Sequence, residues 1–208
     1  MSTLERRNGA LPHLFAAAAS DAAPLLLFLH GARDRGADLD LLLRWAPPRL
    51  AAEAAEPLPY HLLAPQIPEG ATWPEHAEAV LGLADALADA GAVPRDRVVI
   101  AGFSLGTAGA WKIAAGHPGR FAGLVAVSGR VPEGLDVAAL RGLPVQVFHG
   151  AQDDKLPVAA VEAHVAALRA QGNEVGYTVY PEGDHFIADQ AYGEPALRDW
   201  LLARRGTS

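Results

Sequence analysis

Short apolar runs alternate along the chain with longer amphipathic stretches that are rich in alanine. The runs predict six β-strands, over Leu25–Leu29, Tyr60–Ala64, Arg97–Phe103, Gly123–Val127, Pro144–Phe148 and Glu174–Tyr180. Most of them are apolar without a break, which is typical of strands that are buried on both faces of a parallel sheet.

The stretches between these runs predict helices over Asp38–Ala55, Pro74–Ala90, Leu105–Gly116, Val158–Gln171 and Glu194–Arg205. Repetition of strand, helix and strand implies right-handed crossovers. The expected fold class is therefore α/β: a doubly wound, mostly parallel sheet flanked by helices. We expect one domain over residues 1–208, with a short N-terminal segment at 1–24 and a core at 25–205.

Composition and charge exclude several classes of protein. Half of the 208 residues are hydrophobic, which suits a sizeable core, and the net charge of −7 argues against a nucleic-acid partner. The absence of cysteine excludes a thiol nucleophile and a disulfide scaffold. No apolar run is long enough to predict a membrane span. The alanine-rich stretch after Arg6-Arg7 has some features of a secretory signal, but Pro12 and His13 interrupt it. We expect a cytoplasmic protein, with secretion as the alternative.

The third predicted strand runs into a motif that carries chemistry. Gly102-Phe103-Ser104-Leu105-Gly106 fits Gly-x-Ser-x-Gly between a strand and a helix, the setting of a serine nucleophile on a sharp turn. Glycines at both ends of the motif remove side chains that would collide with neighbouring backbone. The backbone amide of Leu105, at the start of the helix, can stabilise a developing oxyanion.

A serine nucleophile needs a base and an acid, and residues after other strands can supply them. His185 follows the last strand and is the candidate base; His30 and His149 each precede a glycine and are interpreted as turn-shaping. Asp153, after the fifth strand, is the candidate acid. Asp154 and Asp184 are the alternatives for that role.

A second oxyanion donor should come from the loop after the first predicted strand. That loop begins His30-Gly31-Ala32, and its glycine allows amides to face inward. The backbone amide of Ala32 is the candidate donor, and an ordinary connecting loop is the alternative interpretation.

With these residues in place, the chain resembles the α/β-hydrolases, specifically the small serine esterases of the phospholipase/carboxylesterase and dienelactone-hydrolase-like families. The matching segments occur in the family's order: 27–31, 64–66, 72–74, 102–106, 127–129, 148–154 and 180–185. The resemblance implies Ser104 as nucleophile, Asp153 as acid, His185 as base, and an oxyanion hole formed by the amides of Ala32 and Leu105. It also implies that Trp73 lines the substrate pocket, with simple packing beside Pro74 as the alternative.

The resemblance implies hydrolysis of a small-molecule carboxylic ester with no metal or organic cofactor, and it says nothing of the oligomeric state. Little of the chain is left for a lid, so a minimal hydrolase fold and short-chain or soluble esters are expected. Thr107 stands where the family often has a second glycine, so packing behind the serine should differ. A small peptidase, a thioesterase and a non-catalytic binding module on the same fold remain alternatives.

Overall fold

The structure is a computed structural model and describes residues 4–206. One mixed sheet organises this part of the chain. Its strands are β1 (Leu4–Arg7), β2 (His13–Ala16), β3 (Leu25–Leu29), β4 (His61–Pro65), β5 (Val98–Phe103), β6 (Gly123–Val127), β7 (Val145–Gly150) and β8 (Val175–Tyr180). The spatial order is β1-β2-β4-β3-β5-β6-β7-β8. The pairs β1/β2 and β2/β4 are antiparallel and the remaining pairs are parallel.

Helices cover both faces of this sheet. They are α1 (Pro48–Glu53), α2 (Ala77–Asp89), α3 (Leu105–Gly116), α4 (Val158–Ala170), α5 (Ala188–Gly193) and α6 (Pro195–Leu202). Short 3₁₀ turns occupy Ala32–Asp34, Leu39–Arg44, Trp73–His76, Arg95–Arg97 and Val137–Leu140. This is the expected doubly wound α/β architecture, and within residues 4–206 no insertion forms a large lid domain.

The core lies in two layers, one on each face of the sheet, and β3 contributes side chains to both. Leu25, Leu27 and Leu29 join the layer that contains Trp111 of α3, whereas Leu26 and Phe28 join the opposite layer. Every residue of β3 is buried, so neither face of the strand needs polar residues and its sequence does not alternate. This explains why the predicted strands read as unbroken apolar runs.

The predicted strands are confirmed with small changes at their ends. β3 and β6 have the predicted bounds, and β7 continues to Gly150 because His149 and Gly150 still pair with β8. Two strands were not predicted: β1 and β2 extend the sheet from the segment before Leu25. Each has only four residues, too few for a clear periodic signal.

The single helix predicted over Asp38–Ala55 is wrong. The structure has a 3₁₀ turn over Leu39–Arg44 and a separate helix α1 from Pro48. Trp45 between them is extended, and the prolines that follow cannot donate the backbone hydrogen bonds of a continuous helix. The short α5 was not predicted either. In the described part of the chain, no helix is both long and apolar enough to cross a membrane.

His164 joins α4 to α3 through an aromatic contact. Its ring meets Trp111 edge-on, with 4.8 Å between ring centres, and the residue is 8% exposed. No hydrogen-bond partner faces its Nε2 among the described residues. Burial of this ring without a partner lowers the pKa of His164 to about 4.

We therefore predict that His164→Phe makes folding less sensitive to acid. In the unfolded chain a histidine binds its proton near pH 6.5, whereas folded His164 resists protonation until about pH 4, so stability is lost as the pH falls between these values. One such histidine removes about 2 kcal/mol from the free energy of unfolding at pH 5 relative to pH 8. Urea unfolding at both pH values should show the variant losing less than the wild type by about that amount. Equal losses in the two proteins would contradict the assignment.

Candidate active site

Ser104 sits on a strained turn between β5 and α3. Its backbone has φ 55° and ψ −113°, a conformation that L-residues rarely adopt. A Cβ on Gly102 would lie 2.3 Å from the backbone of Gly106, and a Cβ on Gly106 would lie 1.8 Å from the carbonyl oxygen of Leu29. Both glycines of the motif are therefore required by the close approach of backbone segments.

Thr107 supports this turn from behind. The residue is fully buried, and its hydroxyl lies 2.8 Å from the carbonyl oxygens of both Gly102 and Val127. It also accepts a hydrogen bond from the amide of Val127 at 3.1 Å. The threonine thus ties the ends of β5 and β6 together, and Gly129 leaves room for it, since a Cβ there would lie 2.0 Å from the Thr107 side chain.

The structure brings Ser104, His185 and Asp153 into one hydrogen-bonded chain. The Ser104 hydroxyl donates to Nε2 of His185 at 2.9 Å, and Nδ1 of His185 donates to Oδ2 of Asp153 at 2.8 Å. His185 and Asp153 are buried, whereas Ser104 is partly exposed. The serine oxygen can therefore meet a ligand while its partners are shielded from water.

Asp153 is held as a carboxylate by several donors. Burial alone would raise its pKa, but hydrogen bonds from His185 and from the amides of Lys155 and Leu156 outweigh burial and lower the pKa. The two amides donate to Oδ1 at 2.9 and 3.0 Å. His149 lies beneath, with Nε2 donating to the carbonyl of Leu156 at 2.9 Å, so it braces this loop as well as the turn after β7.

The two alternative acids point elsewhere. Asp154 is exposed and pairs with Lys155 at 3.1 Å. Asp184 is exposed, and its Oδ1 accepts from the amide of Phe186 at 2.7 Å. Neither carboxylate contacts His185.

The loop after β3 places Ala32 beside Ser104. Ala32, Leu105, Ser104 and His185 line one cavity of about 490 Å³. Among the backbone hydrogen bonds of residues 4–206, neither the amide of Ala32 nor that of Leu105 has an acceptor. Both N–H groups are therefore available to a ligand.

His30 has the turn-shaping role expected from the sequence. Its Nδ1 donates to the carbonyl of Gly31 at 2.7 Å, and its Nε2 accepts from the amide of Ile67 at 3.2 Å. Burial in this position lowers the pKa of His30 to about 4, so the ring is neutral. The loop that carries Ala32 is thereby fastened to the segment after β4.

Trp73 lies deeper than a typical ligand-contact residue. It is fully buried, and its indole N–H donates to the carbonyl of His30 at 3.1 Å. It lines a cavity of about 330 Å³ that shares Leu105, Ala108 and Arg130 with the cavity at Ser104. Trp73 therefore packs behind the loop of Ala32 and also borders this second cavity. We call these two adjoining cavities the groove.

An aromatic wall on the other side of Ser104 was missed by the sequence reasoning. Trp45, Phe103 and Phe186 line a cavity of about 170 Å³ together with Ser104 and His185. Trp45 stacks on Phe186 with 5.2 Å between ring centres. Phe103 and Phe186 adjoin Ser104 and His185 in the sequence, which was an available signal; Trp45 comes from the segment mispredicted as a helix.

The described residues contain no group of three His, Asp or Glu side chains arranged to hold a metal ion. The site instead consists of one hydroxyl, one imidazole, one carboxylate and two free amides beside an open groove. Chemically, this set can activate the Ser104 oxygen and stabilise negative charge next to it.

Comparison with known proteins identifies the family of this chain. The sequence model described as Phospholipase/Carboxylesterase matches residues 63–193, well over half of the chain. The chain belongs to the phospholipase/carboxylesterase family. Among curated proteins, "Putative carboxymethylenebutenolidase" of Methylorubrum extorquens is 38% identical in an alignment of 117 residues, and the match covers 50% of this chain and 40% of that protein.

Solved structures show the same α/β-hydrolase fold. A thermostable esterase matches 99% of this chain and 62% of its own, with 24% identity and a TM-score of 0.79. A phospholipase/carboxylesterase of Dyadobacter fermentans matches 97% of this chain and 99% of its own, with 19% identity and a TM-score of 0.64. The chain thus spans less than two thirds of the curated relative and of the thermostable esterase.

The turn that this family member builds at Ser104 makes a sharp prediction about stability. Gly106→Ala should destabilise the protein by about 3 kcal/mol or more, because the new methyl group would overlap the Leu29 carbonyl. Gly116→Ala, at the other end of the same helix, is the matched control, since nothing lies within 4 Å of its Cβ position. Urea unfolding of both variants measures the difference. Equal stabilities would show that β3 and α3 are not packed as closely as described.

Proposed function

We propose that this protein hydrolyses carboxylic esters through an acyl-enzyme on Ser104. The observation that carries the proposal is the relay of two hydrogen bonds, 2.9 Å from Ser104 to His185 and 2.8 Å from His185 to Asp153. Such a relay raises the nucleophilicity of a serine that would otherwise be weak. Membership of the phospholipase/carboxylesterase family supports the same reaction.

In the first step the Ser104 oxygen forms a bond to the ester carbonyl carbon while its proton passes to Nε2 of His185. Asp153 stabilises the imidazolium and keeps the ring oriented. The carbonyl oxygen becomes an oxyanion and is bound by the amides of Ala32 and Leu105. Removal of one such donor typically costs about 10²–10³ in rate.

The tetrahedral intermediate then collapses. The bond to the alcohol oxygen breaks, and His185 gives its proton to that oxygen, so a neutral alcohol leaves and Ser104 stays acylated. Water then attacks the acyl carbon while its proton passes to His185. The bond between the acyl carbon and the Ser104 oxygen breaks, His185 returns the proton to that oxygen, and the carboxylic acid leaves. No group beyond these residues and water takes part in the proposed steps.

The open groove favours esters that are small or soluble. No large lid covers Ser104 in residues 4–206, and the cavities beside it measure about 170 and 490 Å³. These volumes suit compact ligands rather than long buried acyl chains. Thioesters and small peptides share the same chemistry with Ser104, and matched ester, thioester and amide substrates separate these reactions.

A fluorophosphonate probe tests the activation of Ser104 directly. We expect one adduct, located on Ser104 by peptide mass spectrometry, because attack on phosphorus needs the same base and oxyanion donors as attack on an ester. Ser104→Ala should give no adduct and should lose at least about 10⁴-fold in kcat on a 4-nitrophenyl ester. A folded wild-type protein without adduct or esterase activity would favour a non-catalytic binding module.

The neighbouring acids offer a matched test of the relay. Asp153→Asn should reduce kcat by about 10³–10⁴-fold, because an amide cannot stabilise the imidazolium and can favour the wrong tautomer of His185. Asp154→Asn should change kcat by less than about threefold, since its carboxylate is exposed and pairs only weakly with Lys155. Initial rates on the same ester give both values. If Asp154→Asn lost more activity than Asp153→Asn, Asp154 and not Asp153 would be the acid of the relay.

A further inference from the structure

Positive side chains collect around the groove of a protein that is acidic overall. The chain has 24 acidic and 17 basic residues and a net charge of −7. Among the described residues, the cavity of about 490 Å³ beside Ser104 is lined by Arg130 and Lys155 and by no acidic side chain. The sign of charge at this cavity is therefore opposite to that of the whole molecule.

The adjoining cavities continue this pattern. Lys155 also lines the aromatic cavity, with Arg33, and Lys112 joins Arg130 in the cavity that Trp73 borders. The whole chain has two lysines, Lys112 and Lys155, and both line the groove. A need for solubility does not explain this placement, because a lysine anywhere on the surface would meet that need.

Two acidic side chains line these adjoining cavities, but neither neutralises the central one. Asp34 is 2% exposed, lies 3.9 Å from Arg44, and lines the aromatic cavity but not the cavity of about 490 Å³ at Ser104. Glu133 lines the outer cavity next to Trp73 and not the cavity at Ser104.

No ion pair or hydrogen bond within residues 4–206 accounts for an arginine at position 130. Some basic residues on the surface pair with acids, as Arg49 does with Asp189 at 2.8 Å and Arg120 with Asp85 at 2.7 Å. Within residues 4–206, the Arg130 side chain forms no ion pair and donates no hydrogen bond, and the residue is exposed. Lys155 pairs with Asp154, its neighbour in the chain, in an exposed contact that a ligand can replace.

We propose that the ester cleaved at Ser104 carries an anionic oxygen group, such as a carboxylate, and that Arg130 and Lys155 bind this group. The inference rests on the proposed esterase function and adds the charge of the substrate. A guanidinium offers paired N–H donors to two anionic oxygens, and an ammonium adds a point charge. A cleft lined by one sign of charge also concentrates ligands of the opposite sign and speeds their association.

Two pairs of esters test the proposal, each with one charged and one neutral member of nearly the same shape. Mono-4-nitrophenyl terephthalate and its methyl ester place the charge on the acyl side, and the rigid ring keeps the carboxylate from attacking its own ester. 4-Acetoxybenzoate and its methyl ester place it on the alcohol side. Each enzymatic rate is divided by the spontaneous rate of the same ester, which removes differences in intrinsic reactivity.

We expect the charged member of at least one pair to have a kcat/KM at least tenfold above its neutral partner at low salt, mainly through a lower KM. Arg130→Gln and Lys155→Gln should each reduce this ratio severalfold, and 0.5 M NaCl should reduce it in the wild type. Arg141→Gln is the matched control: Arg141 is exposed but lines a separate cavity beside Pro144, so the ratio should not change.

The outcomes separate the two proposals. A ratio near or below one in both pairs, or a ratio that neither substitution lowers, would overturn the anionic-substrate proposal while esterase activity stands. Absence of hydrolysis of all four esters, together with absence of a fluorophosphonate adduct, would instead overturn the esterase proposal on which it depends. Thermal unfolding of each variant confirms that an altered ratio does not come from a misfolded protein.

Discussion

The end of β3 and the start of α3 meet with no side chain between them, and the site depends on that contact. A Cβ on Gly106 would lie 1.8 Å from the Leu29 carbonyl oxygen, so only glycine permits the approach. The approach forces the strained backbone of Ser104, and this strain aims the hydroxyl out of the sheet and towards His185. It also sets the first amide of α3 beside the loop of Ala32, which leaves β3. One backbone contact thus positions the nucleophile and both of the proposed oxyanion donors.

Features that arise from local chemistry could be predicted from the sequence. Unbroken apolar runs located the parallel strands because burial on both faces leaves no polar position in them. Ser104 was identified from its two glycines, whose requirement is steric and therefore visible in the residue types. His185 and Asp153 followed from the rule that ligands bind beyond the carboxyl ends of parallel strands. The structure brings these three side chains within hydrogen-bonding distance of one another.

Features that arise from tertiary packing were missed. β2 has four residues and becomes a strand because β4 offers it an antiparallel partner, a relation that no local pattern contains. The segment around Trp45 has the composition of a helix, yet the prolines after it divide the element in two. Trp45 consequently reaches the aromatic wall beside Ser104, where sequence reasoning placed no residue of that segment. The buried Trp73 donates its indole N–H to the carbonyl of His30, which is 43 residues away in the sequence, so no local pattern reveals this contact.

The backbone also couples the acid and the base of the relay to each other. The amide of Ala151 donates to the carbonyl of Tyr180, and the amide of Gln152 donates to that of Gly183, both at 2.9 Å. These bonds join the loops after β7 and β8 to each other at one margin of the sheet, where β8 is the outermost strand. Edge elements open more readily than central ones. Fraying of this margin would therefore carry away Asp153 and His185 together, while Ser104 stayed fixed at the centre of the sheet: partial opening would switch the relay off as a whole instead of distorting it by degrees.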